Sequence, residues 1–80
     1  MVFDLLSELA PGEACSIHAI NLDEAMCKRL EEMGLCVGAK IRCANKAPSG
    51  SPIAFWINGA MVAIRAADCR KIQIYRKRML

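Results

Sequence analysis

Paired metal ligands are missing from this 80-residue sequence. It contains a single histidine, His18, and its five cysteines form no C-x-x-C pair. The spacings that are typical of structural zinc sites are therefore absent. The cysteine count is odd and no export signal precedes it, which argues against a disulfide framework, so we expect free thiols.

A membrane span and a secretory signal are also not predicted. The longest stretch without a charged residue, 47–64, has roughly the length that raises the question of a span, but prolines, glycines and polar residues divide it. The segment 1–9 has no basic start, and Asp4 and Glu8 interrupt its apolar residues. We expect a cytoplasmic protein without direct membrane insertion.

Charge is unevenly distributed along the chain. The net charge is +3, yet residues 70–80 hold five basic residues and no acid, whereas residues 1–69 hold six bases and eight acids. A short basic end is usually solvated, so we expect residues 76–80 to form a basic tail.

The chain length predicts one domain over residues 1–80, with its folded core at about 5–75.

An α-helix is predicted at about 22–33. Its apolar residues recur at three- and four-residue spacing on one face: Leu22, Ala25, Met26, Leu30 and Met33. Asn21 is the predicted N-cap. Gly34 suits the left-handed position after the last turn, and Leu35 is expected to contact Leu30 in a Schellman motif.

Five strands are predicted from alternating apolar residues and turn signals. They lie at about 13–20, 39–45, 53–57, 62–64 and 71–75. Asn58-Gly59 is a strong signal for a hairpin between the third and fourth strands. Five short strands with one helix after the first favour a closed or nearly closed barrel, and a helical turn at about 3–9 is expected to cover one side.

Several local sequences, in their order and spacing, resemble the FeoA family between about Leu5 and Ile74. They are Leu6-Ser7-Glu8-Leu9-Ala10-Pro11-Gly12-Glu13, Arg29-Leu30-Glu31-Glu32-Met33-Gly34-Leu35, Gly38-Ala39, Ala47-Pro48-Ser49-Gly50-Ser51-Pro52-Ile53 and Ala63-Ile64-Arg65. The resemblance implies a mainly β, SH3-like barrel. It also implies association with FeoB, the membrane GTPase that moves ferrous iron.

The resemblance thus implies a non-enzymatic protein that docks onto the cytoplasmic GTPase part of FeoB and is recruited by it to the inner face of the membrane. Function is usually placed on loops, and an exposed aromatic residue is a common interface anchor. The residues expected to contact the partner are therefore the helix end, the neighbouring loop and the outward tryptophan: Met33, Gly34, Leu35, Pro48, Gly50, Pro52 and Trp56.

Two alternatives stay open at the level of sequence. The first is a nucleic-acid-binding barrel in which Trp56 or Tyr75 stacks on bases, while Lys40, Arg42 and Lys46 track phosphates. The second is a ferrous-iron carrier that uses the cysteines and the histidine. Aromatic residues make up only 5% of the chain, so nucleic acid is not expected. No cofactor is predicted, and the expected oligomeric state is monomer or weak dimer.

Overall fold

Six short strands and two helices occur in the computed structural model, which describes residues 3–76. A 3₁₀ turn at Leu6–Glu8 follows the first strand. In chain order, the elements are β1 (Asp4–Leu5), β2 (Ala14–Ile20), α1 (Glu24–Glu32), β3 (Lys40–Lys46), β4 (Ile53–Ile57), β5 (Ala60–Ile64), α2 (Ala66–Cys69) and β6 (Ile72–Tyr75).

All strand pairs are antiparallel, and the six strands form one sheet in the order β1-β6-β2-β3-β4-β5. The predicted mainly β, SH3-like architecture with a helix inserted after the first long strand is confirmed. Closure is not complete, because β1 and β5 end the order and do not pair with each other within residues 3–76. The sheet therefore keeps two edges.

Alternation along the strands separates a buried face from an exposed one. On β4, the side chains of Ile53, Phe55 and Ile57 are buried, whereas Trp56 between them is 44% exposed. β3 follows the same rule with Ile41 and Cys43 inside. The pleat turns alternate side chains to opposite faces, so these buried residues meet in one core.

Helix α1 begins two residues later than predicted, and its N-cap is different. Asp23, not Asn21, has extended backbone dihedrals, and its carboxylate accepts a hydrogen bond from the Met26 N–H at 2.8 Å. Its charge also suits the positive end of the helix dipole.

No helix within residues 3–76 is long and apolar enough to span a bilayer.

The end of α1 has the predicted Schellman geometry. Gly34 has a φ of +95°, and its N–H donates to the Glu31 carbonyl at 2.9 Å. The Leu35 N–H donates to the Leu30 carbonyl, also at 2.9 Å, and both leucine side chains are buried. These two bonds stop the helix and turn Leu35 into the core.

The two ends of the described chain are joined by strand β1, which the sequence did not reveal. Asp4 and Leu5 pair with Ile74 and Gln73 of β6, and the predicted opening turn shortens to residues 6–8. Arg76, expected in a solvated tail, instead binds Asp4 at 2.8 Å. The remaining predicted tail, residues 77–80, lies outside the described residues.

Candidate docking surface

A groove of about 250 Å³ separates helix α1 from the end of strand β5 and the start of α2. One wall is formed by α1 and the other by the β5–α2 connection: Met26, Arg29, Leu30 and Met33 face residues 63–65 and Asp68. We call this the α1–β5 groove. Its buried floor consists of Leu30 and Ile64, so the groove opens directly onto the hydrophobic core.

The helix period explains the apolar wall of the groove. Met26, Leu30 and Met33 recur at spacings of four and three residues, which places them on one side of α1. Leu30 is buried, Met26 is half-buried, and Met33 is 36% exposed. The helix therefore presents more apolar surface than the core covers.

Arginines lie on both sides of the groove. Arg29 is exposed on α1, and the side chain of Arg65, opposite it, is 78% exposed. A second cavity of about 260 Å³ adjoins the first along α1, because Arg29 and Met26 line both. The α1–β5 groove is thus flanked by two cations.

Asp68 adds an unsatisfied acceptor to this site. Its Oδ2 atom is buried and has no hydrogen-bond partner among residues 3–76. The nearest ion-pair partner, Arg65 Nε, lies at 3.6 Å, beyond ordinary hydrogen-bond length. A buried oxygen of this kind costs free energy until a donor reaches it.

The predicted contact residues at the helix end have different roles in the structure. Met33 lines the groove. Gly34 packs against the β4–β5 turn, where an added Cβ would overlap the Asn58 side chain. Leu35 is fully buried, so its side chain belongs to the core and is not available at the surface, contrary to expectation.

The predicted loop does not neighbour the helix end. Pro48, Gly50 and Pro52 are exposed, and the loop precedes β4, whereas Gly34 contacts the turn that follows β4. The length of β4 separates these two places by roughly 13 Å, at about 3.3 Å per residue. Ser51 Oγ instead accepts a hydrogen bond from the Ala66 N–H at 3.1 Å, which holds the loop beside α2.

Trp56 lies on the outer face of the sheet, as predicted. Its cross-strand neighbours are Arg42 on β3 and Met61 on β5, and all three are exposed. Farther along the same face, a cavity of about 290 Å³ is lined by residues 14–16, Lys40 and Tyr75. Because Trp56 does not line the α1–β5 groove, it forms a separate exposed patch.

Two of the basic residues of the nucleic-acid alternative, Arg42 and Lys46, have protein partners. The Arg42 guanidinium donates to the Gly12 carbonyl. Lys46 Nζ donates to the Ser7 carbonyl at 3.1 Å. These bonds hold the turn before β2 and the 3₁₀ turn against β3, and they give both side chains a structural role.

All five thiols are free, and they differ in access. Burial raises the pKa of the Cys69 thiol to about 12 and that of Cys15 to about 11, and it also raises the pKa of Cys43. Cys36 is exposed, and the Cys27 thiol donates to the Leu22 carbonyl. Within residues 3–76, no group of three cysteine, histidine or acidic side chains is placed to hold a metal ion.

Most of the groove could not be predicted from the sequence. The sequence pattern predicts Met26 on the core face of the helix and indicates no site role for Arg29, Arg65 or Asp68. The available signal was the apolar face of α1, which includes Met33. The residues of the opposing wall are at least 30 positions away along the chain and become neighbours of α1 only in the folded state.

Comparison with known proteins identifies the family. The FeoA domain model matches residues 5–76. The solution structure of the FeoA protein from Chlorobium tepidum superposes with a TM-score of 0.87 at 30% identity, and the match covers 91% of this chain and 70% of that chain. Among curated protein sequences, none matches this chain.

Two further structures extend the comparison. An iron uptake regulatory protein (FeoA) has a TM-score of 0.84 at 25% identity, and the match covers 95% of this chain and 100% of that chain. A manganese-dependent transcriptional repressor in complex with manganese, 16% identical, shares the fold at a TM-score of 0.83, over 96% of this chain and 38% of its own. From the family match and the FeoA structures together, the chain belongs to the FeoA family.

Proposed function

We propose that this chain is a non-enzymatic accessory protein of bacterial ferrous iron uptake. In this proposal it acts in the cytoplasm, docks onto the GTPase part of a FeoB-type transporter and modulates that GTPase. Membership in the FeoA family supports the link to iron uptake. One relative is itself described as an iron uptake regulatory protein.

The observation that carries the docking proposal is the α1–β5 groove. Its walls combine exposed methionine with arginine, and both residue types are enriched in protein interfaces. Methionine adapts its shape to a partner because it is unbranched and has three rotatable bonds. An apolar channel with a charged rim is the arrangement expected of a small protein-binding site.

We assign the direct contact to Met33 and a supporting role to the two residues after it. Gly34 and Leu35 fix the end of α1 and thereby orient Met33 toward the groove. The loop with Pro48, Gly50 and Pro52 borders α2 and forms an outer part of the same docking surface. Trp56 is proposed as a second, separate contact.

Titration calorimetry tests the proposal, using the reduced, full chain and the cytoplasmic GTPase portion of the FeoB-type transporter from the same organism. We expect saturable binding. Met33→Glu is expected to weaken it at least tenfold, because a carboxylate is placed on an apolar contact. Val37→Glu is the matched control, because Val37 is 65% exposed and lies outside the groove lining.

Two other ligands test the alternatives in the same instrument. Binding to a single-stranded oligonucleotide that falls steeply with salt, without binding to the GTPase portion, would favour nucleic-acid recognition and contradict docking. Stoichiometric ferrous iron retained under anaerobic conditions, again without GTPase binding, would favour the iron-carrier alternative.

A further inference from the structure

The two edges of the sheet are protected very differently. β1 is two residues long and carries Asp4, which is ion-paired to Arg76. β5, with the sequence Ala-Met-Val-Ala-Ile, is five residues long and has no charge and no proline. Short strands and charges are the usual protection of a sheet edge, so the edge of β5 is unprotected.

The free hydrogen-bonding groups on β5 follow from its register. Asn58 and Gly59 both have positive φ and form the two-residue turn between Ile57 and Ala60. A pair that flanks such a turn is hydrogen-bonded, and bonded pairs then alternate along the strands. Met61 and Ala63 therefore direct their N–H and C=O groups away from β4, and no backbone partner meets them within residues 3–76.

The free edge and the α1–β5 groove are parts of one surface. Ala63 belongs to both, since it is an edge residue of β5 and also lines the groove. Asp68, whose buried Oδ2 has no hydrogen-bond partner among residues 3–76, also lines the groove. An incoming backbone would thus meet two N–H donors and two C=O acceptors without backbone partners, beside the apolar side chains of the groove.

Charge indicates what the incoming segment carries. Arg29 has no ion-pair partner within residues 3–76, and Arg65, across the groove, makes its ion pair with Asp68 at 3.6 Å. Neither cation is buried, so both can attract an acidic side chain without a large desolvation cost. A segment with apolar residues for the channel and an acid for Arg29 is complementary to this surface.

We propose that the free edge of β5 binds an extended, acid-bearing segment of the partner as a seventh strand. Its apolar side chains enter the α1–β5 groove, its backbone pairs with Met61 and Ala63, and its acid lies against Arg29. Pairing of an extended peptide with a sheet edge is a common recognition mode, in which backbone bonds give affinity and pockets give specificity. The inference rests on the proposed docking function and specifies how the docking occurs.

The backbone test uses Ala63→Pro, which removes an N–H from the free edge and leaves the bonds between β4 and β5 intact. Binding to the cytoplasmic GTPase portion is expected to weaken at least tenfold, because one interface hydrogen bond is lost and its acceptor is left unpaired. Ala63→Ser keeps the N–H and should bind like the wild type. Urea unfolding of both variants checks that the fold is retained.

The charge test uses Arg29→Glu, with Lys28→Glu as its matched control, because Lys28 is exposed on α1 and lies outside the groove lining. Only the first is expected to weaken binding, roughly tenfold or more at low salt, and the difference should shrink as salt rises. Hydrogen exchange of the wild type provides a readout that needs no substitution. The amides of Met61 and Ala63 should exchange more slowly in the complex.

The outcomes separate this inference from the function on which it rests. Wild-type binding that is unaffected by Ala63→Pro, with unchanged exchange at Met61, would overturn the strand proposal and leave docking intact. If Ala63→Pro only converts a dimer into a monomer, the edge belongs to a second copy, which also overturns it. Absence of wild-type binding would contradict the proposed function itself.

Discussion

Two glycines after α1 share a backbone conformation and differ in their surroundings. Gly34 and Gly38 have φ values of +95° and +91°. A Cβ at Gly38 would meet nothing within 4 Å, whereas a Cβ at Gly34 would overlap the Asn58 side chain and lie 3.3 Å from Ile57 Cγ2. The pair therefore separates backbone strain from steric overlap.

Gly38→Ala is expected to lower the free energy of unfolding by about 1–2 kcal/mol, the usual cost of a left-handed conformation for a residue with a Cβ. Gly34→Ala should cost roughly 1 kcal/mol more, because the Asn58 side chain must move and the helix end must shift from the β4–β5 turn. Urea unfolding measures both. Equal losses would show that the contact with Asn58 is unimportant.

The buried thiols predict a loss of stability in alkali. The pKa of Cys69 is raised from 9.0 to about 12, and that of Cys15 from 9.0 to about 11, chiefly by burial. Above pH 9 the unfolded chain releases these protons and the folded chain retains them, so stability falls as pH rises. Below pH 9 both states hold the protons and this dependence disappears.

Cys69→Ala is expected to reduce the slope of unfolding free energy against pH between pH 9 and 11, by roughly 1 kcal/mol per pH unit. Urea unfolding at several pH values measures the slope. Cys36→Ala is the matched control, because Cys36 is exposed and its removal should leave the slope unchanged. A slope that is the same in wild type and Cys69→Ala would contradict the assignment.

At the scale of elements, the start of α1 shows how a local choice is decided. Asn21 and Asp23 are both good N-cap residues. Because Leu22 fits the apolar face of the predicted helix, the sequence pattern favours Asn21 as the cap. In the structure the Asn21 N–H instead donates to the Lys71 carbonyl at 2.8 Å, a contact from the distant β6 side. Residue 21 thus continues the pairing of β2 with the β6 side, and the helix begins only after Asp23.

Asp23→Ala is expected to destabilise the protein by about 1 kcal/mol through loss of the bond to the Met26 N–H. Asn21→Ala should change stability by less than about 0.5 kcal/mol, because its contact with Lys71 uses only the backbone. Thermal or urea unfolding compares the two. A larger loss for Asn21→Ala would indicate that the helix begins where the sequence alone suggests.

Most elements could be predicted because their sequence signals are local, either an apolar period that repeats over several residues or a turn sequence. The Schellman end of α1, the hairpin at Asn58 and the alternation along β3 and β4 all depend on neighbours in sequence. β1 could not be predicted, because two residues hold too little alternation and their partners, Gln73 and Ile74, are far along the chain. The α1–β5 groove could not be predicted for the same reason, because its two walls lie far apart in the sequence.

At the scale of the whole molecule, Arg76 ties the end of β6 to the start of the chain. Its side chain is 18% exposed and contacts Asp4 at 2.8 Å and Glu13 at 2.9 Å. It also donates to the Glu8 carbonyl at 3.4 Å. One residue thereby joins β1, the 3₁₀ turn and the turn before β2, at the edge opposite β5.

Arg76→Ala is expected to destabilise the protein by about 1–2 kcal/mol, since two charge-assisted hydrogen bonds are lost from a largely covered site. Arg70→Ala removes the same charge from an exposed position and should have little effect. Urea unfolding compares them. If both variants lose the same small amount, the interactions of Arg76 do not hold this edge of the sheet.

We expect the α1–β5 groove and the free edge of β5 to form the main docking surface of this small barrel, with Trp56 on the outer sheet face as a second contact. The most direct measurement is backbone amide mapping by NMR of the full, isotope-labelled chain during titration with the cytoplasmic GTPase portion of the FeoB-type transporter. We predict that the perturbed amides cluster on α1, β5 and α2, around Met33 and Ala63. Perturbations confined to the outer sheet face around Trp56, Lys40 and Tyr75, with none around Met33 and Ala63, would contradict docking at the α1–β5 groove, as would no perturbation at saturating concentration.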